Sequence, residues 1–259
     1  MWHSPRVAAP PLLLVPSFIE LEWGIRPQLE EWAEVASFDM PGVGAESLPT
    51  DLAIDTRRAE ESLSRWREAG VARGLEEVDR HGWRGFAIVT DGYGAPTAVR
   101  VARVRRESVL GLAIGHASLS HSTEGEHPPV RRGVWEALAQ LSRQGNEAFV
   151  RYGIAQMTLG GISEEIAEQM LERFPDMELV TAMVEALGQV GEPIGEDLET
   201  LDAPLLLAKH EGCLGRTDEG FEDIVAAFPN APTVICSEAC TSGPAFADAL
   251  RHFCGELAA

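Results

Sequence analysis

Short apolar runs closed off by proline or glycine alternate along this chain with longer amphipathic stretches, and no other feature restricts the fold as much. The runs are Pro11–Val15, Val35–Asp39, Phe86–Val89, Val109–Ile114, Pro204–Ala208 and Thr233–Cys236. Their apolar residues are consecutive rather than alternate, which suits strands buried on both faces of a parallel sheet. Between them, residues 55–82 carry Ala59, Leu63, Trp66, Val71 and Leu75 at roughly helical spacing among charges. Ala95–Arg103 and Phe246–Phe253 read as two further helices. Strand and helix in turn predict an α/β protein, a mostly parallel sheet with helices on both faces. A chain of 259 residues with 45% hydrophobic content can build one full core of this kind.

The alternation breaks off between about His116 and Thr200. There Val134, Leu138 and Leu141 mark one helix, and Ile166, Met170 and Phe174 mark a second. Ser163-Glu164-Glu165 opens that second helix with a capping residue and an acidic first turn. Val180, Val184 and Leu187 mark a third. The expected organisation is a core domain of residues 1–115 and 201–259, interrupted by a helical cap at 116–200.

Charge narrows the partners. Twenty-one Lys+Arg against 41 Asp+Glu give a formal charge of −20. Such a surface repels phosphate, so nucleic acid and anionic membrane are excluded as expected partners. A small-molecule ligand or substrate is expected instead, with a homodimer as a further option. No basic-then-apolar leader opens the chain, and Leu12–Val15 is too short to span a bilayer, so a cytoplasmic protein is expected. Four cysteines, Cys213, Cys236, Cys240 and Cys254, lack metal-type CxxC spacing and read as reduced thiols. No metal and no cofactor is implied. Lys209 is the only lysine, which fits the coding bias of a GC-rich genome.

Residues 85–97, Gly-Phe-Ala-Ile-Val-Thr-Asp-Gly-Tyr-Gly-Ala-Pro-Thr, run from a buried strand through a tight turn into a helix. With this segment, several others occur in a telling order. They are Leu-Leu-Leu-Val-Pro-Ser-Phe (12–18), Trp23, and Ser-Phe-Asp-Met-Pro-Gly-Val-Gly (37–44). Later come Pro-Leu-Leu-Leu-Ala-Lys-His-Glu-Gly (204–212) and Phe-Pro-Asn-Ala-Pro-Thr-Val (228–234). Over nearly its whole length the chain resembles the α/β-hydrolase superfamily, and its motifs are nearest to the haloalkane-dehalogenase and epoxide-hydrolase branch. The resemblance implies an α/β-hydrolase fold with a helical cap, in which the chain starts almost at the family's third strand. It also makes 85–97 the nucleophile elbow, whose reactive residue stands two positions before a glycine.

Counted back from Gly94, the nucleophile position holds Gly92, which has no side chain to attack with. The family's acid maps near Gly212 or Cys213, and its histidine near Cys240 or Thr241. None of the seven histidines lies in that last loop. All three members of a catalytic triad are therefore replaced in this reading, and nucleophile–base chemistry has no side chains to run on.

What the resemblance leaves is an oxyanion hole made of backbone N–H groups, that of Tyr93 with that of Ser17 or Phe18. Gly92 either relieves about 1–3 kcal/mol of backbone strain after catalysis was lost, or makes room for a ligand. Tyr93 is a proton donor facing the pocket or an anchor for the cap. His116 ends a strand where ligands bind in open α/β sheets, and stands as a candidate acid or base beside its structural reading. Asp91 is the alternative nucleophile, disfavoured by the spacing to Gly94. Glu20 and Glu22 are loop carboxylates that either turn inward or stay solvated. Cys213 and Cys240 are expected to line the pocket, since a thiol with no neighbouring base stays protonated.

The leading expectation is a non-hydrolytic enzyme of cyclase, lyase or isomerase type. Its substrate would be a small, apolar, carbonyl-bearing metabolite in bacterial biosynthesis, with Tyr93 and His116 as catalytic groups. A non-catalytic ligand-binding protein is the alternative. A hydrolase with an unorthodox site, Asp91 or Cys240 with His116, is the third.

Overall fold

The computed structural model describes residues 9–16, 24–44, 48–91, 94–116, 140–141, 143–145, 179, 181–183, 185–186, 194–211, 218–237 and 243–258. Every apolar run named above forms a strand. These are β1 (Leu12–Val15), β2 (Val35–Ser37), β3 (Phe86–Asp91), β4 (Val109–Gly115), β5 (Leu205–His210) and β6 (Thr233–Cys236). All pair in parallel, in the order β2-β1-β3-β4-β5-β6. The helices whose bounds lie among the described residues are α1 (Arg26–Glu30), α2 (Ala59–His81), α3 (Ala95–Val104), α4 (Gly195–Glu199), α5 (Asp218–Ala227) and α6 (Pro244–Leu257).

Successive strand residues point to opposite faces, and each face has its own core. On one face Leu13, Val15, Ile88, Leu112 and Leu207 pack with residues of α2, α3, α4 and α5. On the other, Leu12, Leu14, Val89, Ala113 and Leu206 pack with α1 and α6. The path explains the division. β1 to β2 runs one way along the sheet, and every later crossover runs the other way, so right-handed connections put α1 opposite α2–α5.

Glycines mark the closest approaches. On α2, a Cβ at Gly70 would lie 2.4 Å from Met40 Cε, and one at Gly74 would lie 3.1 Å from Phe38 Cε1. The loop after β2 therefore lies on the helix, which is why the strand expected to reach Asp39 ends at Ser37. Trp66 adds a hydrogen bond from its indole N–H to the Pro41 carbonyl, 2.8 Å. On β4, a Cβ at Gly111 would meet Leu257 Cδ1 at 2.6 Å, so α6 presses directly on the strand. The β3–β4 register shifts there by one residue, leaving Leu110 38% exposed.

Other boundaries differ from the sequence reading for local reasons. The stretch from 55 begins with a 3₁₀ turn, Thr56–Arg58, where the Asp55 carboxylate accepts the Arg57 N–H; the α-helix starts at Ala59. The periodicity does not reveal α1, because it spans only five residues. It also misses α5, whose apolar positions, Phe221, Ile224 and Val225, stand among acidic residues. From the interrupted region, Leu179, Met183 and Ala186 are helical and buried. They stand one residue before the predicted stripe of Val180, Val184 and Leu187, which lies outside the described residues. No helix among the described residues is long and apolar enough to cross a membrane.

Candidate functional site

Open parallel sheets bind ligands outside the carboxyl ends of the strands, at the point where strand order reverses. Here that point lies between β1 and β3. Thr90, fully buried, donates from its hydroxyl to the Val15 carbonyl at 3.1 Å and ties the two strand ends together. Gly94 then caps α3, and a Cβ on it would lie 2.6 Å from Thr90 Oγ1 and 2.8 Å from the Pro16 carbonyl oxygen. Only glycine lets the start of α3 come this close to the end of β1. The helix that begins there runs for ten residues, with Pro96 in its first turn. The first N–H groups of a helix have no partner within it and favour negative charge at that end.

His116 follows β4 directly and has φ +48°, the one non-glycine residue with positive φ among the described residues. Histidine tolerates this left-handed conformation better than most side chains. Gly115 pairs with Asp91, so His116 stands one position past the sheet edge, beside the strand that leads to residues 92–93. The ring is half-buried. On β5 the edge carries Lys209 and His210, and the Lys209 ammonium stands 5.7 Å over the Phe221 ring. The Glu211 N–H donates to the Cys236 carbonyl at 2.8 Å, joining the ends of β5 and β6. Sequence reasoning did not single out His210. Lying two residues beyond the apolar run Pro204–Ala208, it left no sequence signal, and only the length of β5 places it at the edge.

Of the expected site residues, the structure brings Asp91 and His116 to neighbouring strand ends. Ser17, Phe18, Glu20, Glu22, Gly92, Tyr93, Cys213 and Cys240 lie outside the described residues. Cys236 and Cys254 are buried in the α6-side core, and burial pushes the Cys254 thiol up to about 12. Among the described residues no group of three or more His, Cys, Asp and Glu is arranged to hold a metal ion. One charge is not where the sequence pattern groups it. Arg67 on α2 is 1% exposed, and burial, then the nearby charge of Arg100, lowers its guanidinium to about 9. At neutral pH it is a buried cation.

No family model matches the chain, and no curated protein matches its sequence. Solved structures do. A hydrolase from Oleispira antarctica superposes with a TM-score of 0.71 at 17% identity, covering 95% of this chain and 90% of its own. The N-formylmaleamic acid deformylase of Pseudomonas putida S16 does so at 0.61 and 21%, over 88% of this chain and 84% of its own. A loop variant of the haloalkane dehalogenase DbeA from Bradyrhizobium elkanii gives 0.68 and 16%, with 96% and 90% covered. The chain has the α/β-hydrolase fold. At these identities the likeness is one of fold.

Proposed function

We propose that this α/β-hydrolase-fold protein works without a nucleophile–histidine–acid triad. It binds a small, apolar, carbonyl-bearing metabolite at the β1/β3 edge and promotes a cyclisation, elimination or isomerisation. The observation that carries the reading is Gly94. Its contact with Pro16 and Thr90 excludes any side chain at that position, as the glycine closing a nucleophile elbow requires. Counting back two residues from it makes Gly92 the apex, while Asp91 is still a strand residue paired with Gly115.

Without a nucleophile, the remaining devices are orientation, N–H groups at a helix start and a proton donor. Tyr93 and His116 fill the last role. The left-handed backbone of His116 at the ligand-binding edge supports this assignment, because strained residues gather at functional sites. A formal charge of −20 makes nucleic acid and anionic membrane poor partners and leaves small molecules. In this reading the protein is cytoplasmic and needs no cofactor.

Fluorophosphonate labelling and p-nitrophenyl ester assays test the central point. The wild-type chain should show neither labelling nor turnover, and Gly92→Ser should stay inactive because no base awaits it. Stoichiometric labelling of the wild type would overturn the proposal. Against a panel of cyclic and enolisable carbonyl compounds, Tyr93→Phe with His116→Ala should abolish any conversion found. Binding without conversion in the wild type would make the protein a carrier or receptor.

A further inference from the structure

Among the described residues β6 ends the sheet, and its strand carries no charge. From Ile224 to Ser237 the chain has no Asp, Glu, Lys or Arg, although 24% of the protein is charged. Ile235, in the middle of the strand, is 62% exposed, the most exposed large hydrophobic residue among those described. Edge strands are usually blunted by charge or bulges. Pro232 precedes the strand, but Thr233–Cys236 has neither charge nor proline.

The backbone is equally specific. The Leu207 N–H donates to the Pro232 carbonyl at 3.0 Å, and the Glu211 N–H to the Cys236 carbonyl at 2.8 Å. In a parallel ladder this turns the polar groups of Val234 towards β5 and those of Thr233 and Ile235 outward. We propose that β6 pairs antiparallel with β6 of a second copy, about a two-fold axis through Val234, to give a continuous twelve-stranded sheet. Thr233 then faces Ile235 of the partner subunit and exchanges both backbone hydrogen bonds with it, and the symmetric pair does the same. Val234 meets its own copy in the closer, non-hydrogen-bonded position. The patch is self-complementary, as a two-fold interface must be.

Charge selects a second copy at this edge and nowhere more strongly acidic. A chain carrying −20 repels itself, least where its surface has no charge. The α6 helix, which packs on β6, exposes Asp248 and Glu256 with Arg251 between them, a small acidic excess beside the uncharged strand. Contact from the helix would have to add to the three residue pairs of the strand, since stable interfaces bury about 1,200–2,000 Å².

Sedimentation of the full chain over a concentration series is the test. A species of twice 28.1 kDa is expected, and Ile235→Lys should weaken association at least tenfold with an unchanged far-UV spectrum, because the side chain is already exposed. Val234→Cys should form a disulfide-linked dimer under mild oxidation well beyond the wild-type level. A wild type that stays monomeric, an Ile235→Lys variant that stays dimeric, or a Val234→Cys variant that fails to cross-link would each overturn the proposal.

Discussion

β1 and β6 are both four-residue strands of largely apolar sequence, Leu-Leu-Leu-Val and Thr-Val-Ile-Cys, yet they live in opposite surroundings. Every residue of β1 is 0% exposed, between β2 and β3 and under helices on both faces. Among the described residues β6 has one neighbouring strand, and it buries fully only Cys236. At the inner strand, close packing is so strict that Gly94 touches Pro16 with no room for a methyl group. At the outer strand, an isoleucine side chain is mostly exposed. The inner position suits a site that must hold atoms in place, and the outer one suits a surface that meets another molecule.

The largest expected effect tests that contrast directly. Leu13→Ala should cost about 2–5 kcal/mol in urea unfolding, by lost burial and the cavity left behind. Val234→Ala at the edge should cost under about 1 kcal/mol, measured on the monomer. Comparable losses would erase the distinction between the strands.

A pair of glycines sharpens it. Gly94→Ala should destabilise by about 1–3 kcal/mol, because its Cβ meets backbone that cannot step aside. Gly255, on α6 behind the edge strand, has nothing within 4 Å of an added Cβ. Its replacement by alanine should stabilise by about 0.5–1 kcal/mol through helix propensity. The sign of the change, read from thermal melts, separates the two regions.

The smallest effect is at the opposite edge of the sheet, before β2. There the His81 ring lies 2.8 Å from Glu34 and 3.3 Å from Glu77, and His81 holds the Glu34 carboxyl below its ordinary 4.5. A carboxyl with a depressed folded value adds stability that is present above the unfolded value and lost as pH falls through the folded one. Wild-type melting temperature should therefore decline below about pH 4.5, and Glu34→Gln should flatten that decline slightly. An unchanged acid limb would show that the contact is spent on solvent.

Much of the fold was legible because burial on both sides of a parallel sheet leaves a mark on consecutive residues. The runs at 11–15, 86–89, 109–114, 204–208 and 233–236 all became strands, and the α2 periodicity became a helix of 23 residues. Short helices such as α1 left no such mark, since one and a half turns cannot establish a period. Arg67 was illegible too, since a charge beside an apolar stripe reads as solvated until the neighbouring helix is seen to cover it. In the candidate site, the strand–turn–helix frame and the place of His116 after its strand were readable. The left-handed backbone of His116 and the position of His210 at the sheet edge were not.

By itself, the sequence determined which segments enter the sheet and that a glycine stands two residues before Gly94, because residue type and spacing are local properties. Tertiary structure alone decided that the strand order reverses between β1 and β3, that Gly94 must be glycine, and that β6 stands last in the sheet among the described residues. Those depend on which segments become neighbours, a choice made by burial across the whole chain and invisible to any window of it.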